Sequence, residues 1–138
     1  MTDNPQHGIA PPRTYETVIE SIRPVKGLNI LDIPAGSGGF ASQMASEGAL
    51  CIAADISANM DYTPSVTADM NQPLPFSSET FDIITCIEGI EHVHNTFHLI
   101  SEFCRVLRPG GRLVISTPNM QNLRSRIKFL LRGTLFWF

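Results

Sequence analysis

The sequence alternates short apolar segments with segments of helical spacing, and this alternation limits the possible fold more than any other feature. Strands are predicted at 28–33, 50–54, 66–68, 81–87 and 112–116. Helices are predicted at 14–22, 40–47, 95–107 and 121–131. Strands that are apolar throughout are typical of parallel sheets covered on both faces. The pattern therefore predicts an α/β fold, a doubly wound Rossmann-like sheet of about five strands with helices on both faces.

The third predicted helix has both a start signal and an apolar face. Asn95 is a residue type that caps helix N-termini, and it directly precedes the helical spacing. The buried face is predicted to carry Phe97, Ile100, Cys104 and Leu107. An Arg-Pro-Gly-Gly turn at 108–111 is predicted to separate this helix from the last strand.

Length and composition fit one ordinary globular domain. The chain has 138 residues, 43% hydrophobic and 17% charged, which suffices for a single core. Residues 1–13, polar and proline-rich, are predicted to form a flexible N-terminal tail, and 14–138 to form the domain. The tail lacks the pattern of a signal peptide, and no apolar run reaches the roughly 18 residues of a membrane-spanning helix. We therefore expect a cytoplasmic location.

The three cysteines, Cys51, Cys86 and Cys104, show no metal-site or disulfide pattern. Their number is odd, and no two of them form a Cys-x-x-Cys pair. We expect all three to be buried apolar side chains in a reducing compartment.

A glycine-rich turn between the first strand and the following helix is the most informative local motif. It reads Pro-Ala-Gly-Ser-Gly-Gly over 34–39, and Asp55 follows Gly36 by nineteen positions, at the end of the second strand. Backbone can approach a ligand closely at such a turn, and a carboxylate at that strand end can accept hydrogen bonds from ribose hydroxyls. Either feature alone also fits an ordinary turn or a solvated carboxylate. Together they favour a cofactor that contains a nucleoside.

Asp32 indicates which cofactor this is. It lies inside the end of the first strand, four positions before Gly36. A carboxylate there suits the ammonium and sulfonium groups of S-adenosylmethionine and would repel the pyrophosphate of NAD. A phosphate-binding loop is not indicated either, because no Gly-Lys-Ser/Thr follows the turn.

Four motifs in order then resemble a known family. They are LDIPAGSGGF at 31–40, AADIS at 53–57, Ala68-Asp69 followed by LPFSSETFDIITCIEGIEHV at 74–93, and LRPGGRLVISTPN at 107–119. Over about 28–119 the chain resembles the class I S-adenosylmethionine-dependent methyltransferases, within the group that includes the ubiquinone and menaquinone biosynthesis enzymes.

The resemblance implies one cofactor-binding surface built from the turn and the ends of the strands. Its members would be Asp32, Pro34, Ala35, Gly36, Gly38, Asp55, Ile56, Asp69, Met70, Ile87 and Glu88. In the family's roles, Asp32 and the turn hold the methionyl part of the cofactor, and Asp55 holds the ribose. Ile56 packs on the adenine, Asp69 and its neighbour reach the adenine edge, and the last two members line the pocket beyond the fourth strand.

The chain departs from the family pattern in two places. Pro34 stands where the family most often has glycine, and proline has no N–H to donate. A complete class I domain has seven strands, whereas five are predicted here. The chain thus resembles the cofactor-binding portion of a longer, C-terminally truncated methyltransferase, and its open sheet edge predicts self-association.

His92 is the candidate general base. It belongs to the cluster Glu88, Glu91, His92 and His94 after the fourth strand, at the carboxyl end where open α/β sheets bind ligands. A base is needed when the methyl acceptor is a hydroxyl or an acidic carbon. A structural hydrogen bond at a helix start is the alternative for this histidine. Crowding in sequence is weak evidence for a metal, and none is predicted.

Charge is distributed unevenly along the chain. All thirteen acidic residues precede Arg105, and from there to the end seven residues are basic. The segment 121–132 predicts a basic amphipathic helix, which either contacts a membrane surface peripherally or covers the sheet with a solvated basic face. Nucleic acid is not an expected partner, because the whole chain is acidic.

The leading hypothesis is transfer of a methyl group from S-adenosylmethionine to a small-molecule or lipid-like acceptor. The alternative is a noncatalytic cofactor-binding or assembly module derived from a truncated methyltransferase. An NAD-dependent oxidoreductase is disfavoured because neither Tyr15 nor Tyr62 has a lysine four positions on.

Overall fold

A computed structural model describes residues 12–58 and 60–118. The elements in chain order are α1 (Pro12–Ile22), β1 (Asn29–Asp32), α2 (Gly39–Ser46), β2 (Leu50–Asp55), β3 (Ser65–Thr67), β4 (Phe81–Ile87), a 3₁₀ turn (Ile90–His92), α3 (Thr96–Val106) and β5 (Leu107–Ser116). The first four predicted strands are confirmed to within one residue at each end, whereas the fifth begins five residues earlier than predicted, at Leu107. The first helix begins two residues earlier than expected. The helix predicted at 121–131 and most of the tail predicted at 1–13 lie outside the described residues.

The five strands form one parallel sheet in the order β3-β2-β1-β4-β5. The first strand is central, and the chain builds outward from it first through β2 and β3, then through β4 and β5. The order therefore reverses between β1 and β4. In doubly wound sheets, ligands bind outside the carboxyl ends of the strands at such a reversal.

Apolar side chains cover both faces of the sheet, which confirms the doubly wound prediction. On one face, Ile30 and Ile83 pack with α1 and α2. On the other face, Leu31 and Ile84 pack with α3 and with the loop that precedes β4. Neighbouring residues of each central strand thus enter opposite cores, as the alternation of side chains in a strand requires.

The first helix shows how sequence, packing and capping agree. Val18, Ile19 and Ile22 are buried on one face, at the spacing that predicted the helix. Arg112 of β5 donates hydrogen bonds to the carbonyl oxygens of Ser21 and Ile22, over 3.1 and 2.8 Å. A guanidinium there satisfies carbonyls that lack a partner within the helix, and its charge complements the helix dipole.

The cap of α3 is confirmed, but its predicted buried face is correct only in part. Ile100 and Leu107 are half-buried and pack against the core as predicted, whereas the prediction is wrong for Phe97 and Cys104. The Asn95 side chain accepts a hydrogen bond from the backbone N–H of His98 over 3.0 Å. The buried residues, however, are Leu99, Phe103 and Val106, whereas Phe97 is 90% exposed. Both sets have helical spacing, so spacing alone cannot choose between them; the contact with Leu31 and Ile84 on the sheet decides.

The prediction that every cysteine is buried is wrong for Cys104, which is exposed on the outer face of α3. Cys51 and Cys86 are buried in strands β2 and β4, as expected. Burial raises the pKa of each of these two thiols to about 12, so both stay neutral at ordinary pH.

The turn predicted at 108–111 is present as an irregularity inside β5. Leu107 already pairs with Phe81, and Arg112 pairs with Ile83, so four residues of β5 lie opposite one residue of β4. Gly110 takes a φ of 79°, a left-handed conformation that glycine adopts without strain. Within 12–58 and 60–118, no strand pairs with the outer edge of β5. None of the helices described there is long and apolar enough to cross a membrane.

Candidate cofactor-binding site

Two backbone contacts hold the glycine-rich turn against the end of β2. The N–H of Ala35 donates to the carbonyl oxygen of Ala54, and the N–H of Gly36 donates to Oδ2 of Asp55, both over 2.9 Å. The turn therefore has a fixed position beside the carboxyl ends of β1 and β2, where α2 begins.

Gly38 allows a second segment to pack on this turn. Its φ is 88°, and a Cβ atom there would collide with the Cβ atom of Tyr62. The Tyr62 hydroxyl donates to the carbonyl oxygen of Cys51 over 2.9 Å, and the N–H of Asp61 donates to that of Ser37 over 3.1 Å. The segment 61–62 thus fixes the outer side of the turn, a role that the sequence interpretation missed.

Asp55 is 5% exposed and is oriented by two backbone donors. Besides the bond from Gly36, its Oδ1 accepts from the N–H of Ser57 over 2.9 Å. Its carbonyl oxygen accepts from the N–H of Ala68 over 2.8 Å, which brings the end of β3 alongside. Each carboxylate oxygen has a second lone pair, so the group can still accept bonds from a ligand.

Asp32 is 2% exposed at the end of β1. Its Oδ1 accepts a hydrogen bond from Oγ1 of Thr85 on β4 over 2.9 Å, and the two residues pair in register. Burial raises the pKa of Asp32 to about 7; the Thr85 hydrogen bond lowers it, and the nearby Asp55 charge raises it. Without a cation, the proton is thus held far more tightly than by an exposed carboxyl.

This raised pKa predicts how stability depends on pH. The unfolded chain loses the Asp32 proton near pH 4 and the folded chain near pH 7, so the folded state binds more protons in between. The free energy of unfolding should fall as pH rises through this window, by on the order of 4 kcal/mol from this group. Urea unfolding at pH 4.5 and 7.5 should show a smaller decline for Asp32→Asn than for wild type. Asp82→Asn, at the other end of the sheet, is the control; equal declines in wild type and Asp32→Asn would contradict the account.

The residues predicted to hold the adenine follow β2 and β3. Ile56 is 65% exposed directly after Asp55, and Met70 is half-buried. Asp69 accepts bonds at Oδ1 from the backbone N–H and the side-chain amide of Asn71, over 2.8 and 3.2 Å. Asn71 in turn accepts from the N–H of His94 over 2.8 Å, which links this loop to the segment after β4.

The end of β4 is tied to the end of β5. Ile87 is buried, and Glu88 has a φ of 50°, which is uncommon for a residue with a side chain. The N–H of Glu88 donates to the carbonyl oxygen of Ser116 over 3.1 Å, and the Ser116 hydroxyl donates to Oε1 of Glu88 over 2.9 Å. The Glu88 carboxylate therefore lies toward β5.

Pro34 has a packing role that explains its presence in the turn. A Cβ atom at Gly89 would lie 2.6 Å from Cγ of Pro34 and would collide with its Cδ. The proline ring therefore packs on the backbone at Gly89, and the first position of the turn contributes a ring contact instead of an N–H.

His92 is exposed on the 3₁₀ turn after β4, and its N–H donates to the carbonyl oxygen of Gly89 over 3.1 Å. Its imidazole makes no hydrogen bond with the described part of the chain. Across the same residues, no group of three or more His, Cys, Asp or Glu side chains could hold a metal ion.

The structure brings most of the predicted residues to one edge of the sheet. The turn, Asp32, Asp55, Asp69 and Glu88 all lie at or directly after the carboxyl ends of β1 to β4. Thr85 was not predicted, although a polar residue inside the apolar strand FDIITCI is a detectable signal.

Two shallow hollows lie at the opposite edge of the sheet. They have volumes of about 480 and 290 Å³, and both are lined by Arg108 and the irregular stretch after it. Their carboxylates, Glu79 and Asp82, are not buried, and Asp82 already pairs with Arg108 over 2.7 Å. Among the residues that the structure describes, buried carboxylates meet the glycine turn only at the carboxyl edge, so we place the candidate site there.

Comparison with known proteins identifies the family. A family model described as "Methyltransferase domain" matches residues 31–115. The demethylmenaquinone methyltransferase of Mycobacterium sp. (strain KMS) is 39% identical over 118 residues, which cover 79% of this chain and 51% of that protein. The chain spans about half the length of the curated relatives it matches.

Solved structures of other methyltransferases agree with this family assignment. An S-adenosylmethionine-dependent methyltransferase from Mesorhizobium loti superposes with a TM-score of 0.68 at 25% identity, covering 74% of this chain and 52% of that one. A methyltransferase assigned to antibiotic biosynthesis in Anabaena variabilis has the same fold, with a TM-score of 0.71, 23% identity, and coverage of 86% and 51%. The chain belongs to the methyltransferase-domain family, and the predicted class of methyltransferase is confirmed.

Proposed function

We propose that this chain binds S-adenosylmethionine at the carboxyl edge of the sheet. One observation carries the proposal: two buried carboxylates, Asp32 and Asp55, flank the glycine turn at neighbouring strand ends. Neither forms an ion pair with any lysine or arginine of the described segments. Negative charge that no cationic side chain compensates favours a cationic ligand beside the turn.

Each part of the cofactor has matching chemistry at this edge. Ribose hydroxyls can donate to the free lone pairs of Asp55, and the exposed Ile56 offers an apolar surface for the adenine ring. Asp69 follows the end of β3, the strand next to β2, and thus lies on the side of the site where we place the adenine ring. The ammonium and sulfonium groups then lie toward Asp32, where the pairing of opposite charges is strongest.

We further propose that the whole protein transfers a methyl group to a small-molecule, lipid-like acceptor of the quinone type. The demethylmenaquinone methyltransferases among the relatives support this acceptor class. The cofactor supplies an electrophilic methyl group, which passes to a nucleophile aligned with the bond to sulfur and leaves S-adenosylhomocysteine. His92, exposed just beyond β4, is the proposed base that removes the acceptor's proton.

Calorimetric titration tests the cofactor assignment. Wild-type chain should give saturable heat with S-adenosylmethionine and with S-adenosylhomocysteine, because both carry the adenosine and the ammonium group. NAD should give none, because the carboxylates of Asp32 and Asp55 beside the turn repel its pyrophosphate. Heat from NAD alone would overturn the proposal.

A noncatalytic cofactor-binding or assembly module remains the second proposal, and the outer edge of β5, with which no strand of the described residues pairs, favours it. Residue Ile115 is partly exposed along this edge. Open edges invite pairing with another chain. Self-association would appear in sedimentation as a species heavier than 15.2 kDa that grows with concentration. A monomer at all concentrations would count against it.

A further inference from the structure

We propose that Thr85 is a positioning residue whose hydroxyl holds the Asp32 carboxylate ready for the cationic end of the cofactor. The inference rests on the proposed function and deepens it, because it gives a role in cofactor binding to a residue for which the motifs and the family resemblance implied none.

The nearest hydrogen-bond acceptor to the Thr85 hydroxyl is the carboxylate of Asp32. The residue is fully buried in β4 and lies in register with Asp32 across the β1–β4 pair. Its Oγ1 lies 2.9 Å from Oδ1 of Asp32 and 3.4 Å from the carbonyl oxygen of Leu31, so the carboxylate is the nearer acceptor. It is the one side-chain donor to Asp32 among the residues that the structure describes.

The position of Thr85 in the sheet agrees with a role in holding the Asp32 carboxylate. The β1–β4 pair is the point where the strand order reverses, and the Asp32–Thr85 pair lies at its carboxyl end. The neighbours of Thr85 along this strand are isoleucines and a cysteine, all of them buried. A hydroxyl here adds nothing to apolar packing, but it does stabilise the ionised carboxylate.

The other titratable groups facing Asp32 do not supply a donor. Asp32 interacts electrostatically with Asp55 and Cys51 of β2 and with Cys86 of β4. The Asp55 charge opposes ionisation of Asp32, and burial keeps both thiols neutral because it raises their pKa values to about 12. The Thr85 hydrogen bond favours the ionised form of Asp32, and it therefore lowers the pKa of this carboxyl.

Cofactor binding should therefore be coupled to release of the Asp32 proton. A cation beside the carboxyl favours the ionised form, so affinity for S-adenosylmethionine should rise roughly tenfold between pH 6 and pH 8. The neutral analogue 5′-methylthioadenosine has the adenosine but neither the ammonium nor the sulfonium group. Its affinity should not change over the same interval.

The experiment compares Thr85→Val with wild type by calorimetry, using both ligands at both pH values. Losing a hydrogen bond to the ionised form shifts the acid dissociation constant of the carboxyl about tenfold. The variant should bind S-adenosylmethionine roughly tenfold more weakly than wild type at pH 6, and only about twofold more weakly at pH 8. The cofactor's own titration is common to both proteins and cancels in this ratio.

Two further variants make the test specific. Thr85→Ser keeps the hydroxyl and should restore wild-type affinity and pH dependence. Thr80→Val makes the same substitution just before β4, where the hydroxyl bonds to the carbonyl oxygen of Ser77, and should change neither. Thermal unfolding and 5′-methylthioadenosine affinity report whether each variant is folded.

The outcomes separate this inference from the proposed function. Wild type that fails to bind S-adenosylmethionine overturns the proposed function itself. Wild type that binds it, beside a Thr85→Val variant of equal affinity at pH 6, overturns only the role of Thr85. Equal weakening of both ligands at both pH values would show a structural role and would also overturn the inference.

Discussion

Replacing Asp55 with alanine should abolish measurable binding of S-adenosylmethionine, a loss of at least about a hundredfold in affinity. The substitution removes the acceptor for the ribose and also the acceptor for the N–H of Gly36, a hydrogen bond that ties the turn to the end of β2. Hydrogen bonds to a charged acceptor contribute about 1.5 to 3 kcal/mol each, so losing two of them already reaches this magnitude. Calorimetric titration against wild type measures the loss.

Two variants show whether the effect is local. Asp55→Asn keeps one oxygen acceptor but no charge, and should bind with intermediate affinity. Asp82→Ala removes an aspartate that also accepts a backbone N–H, from Asn29 over 2.8 Å, but at the opposite edge of the sheet. It should lower stability and leave affinity unchanged. Undiminished binding by Asp55→Ala would place the cofactor elsewhere.

Replacing Phe103 with alanine should destabilise the fold by about 3 to 5 kcal/mol, because the side chain is fully buried between α3 and the sheet. Phe97→Ala, six positions earlier on the same helix, removes a side chain that is 90% exposed. Its effect should stay within about 0.5 kcal/mol. Urea unfolding of both variants under the same conditions gives the two free energies.

This pair of phenylalanines tests the orientation of α3 directly. The sequence pattern places Phe97 inside, and the structure places Phe103 there. A large loss for Phe97→Ala with little loss for Phe103→Ala would mean that the helix is rotated from the described position. Because α3 covers one face of the sheet, such a rotation would also disturb the loop that carries Asp69.

The alternation of strands and helices could be predicted because the spacing of apolar residues within each segment is sufficient to indicate a strand or a helix. Apolar strands must lie inside a sheet, and a glycine turn between strand and helix must lie at a carboxyl edge. Asp32, Asp55 and the turn were found on this basis, since each position follows from where a strand ends.

The remaining features depend on contacts between distant segments. Two helical faces of α3 are compatible with its spacing, and only packing against the sheet distinguishes them. The irregularity in β5 reflects how that strand pairs with β4, which its own residues do not reveal. The contact of Tyr62 with Gly38, and that of Thr85 with Asp32, likewise join segments whose registers must be known first.

A crystal structure of the chain grown with S-adenosylmethionine tests the central claim most directly. We predict electron density for the cofactor over the glycine turn, with ribose hydroxyls on the Asp55 carboxylate and the cationic end toward Asp32. An empty carboxyl edge, or density in the hollows beside Arg108 at the other edge, would contradict the account.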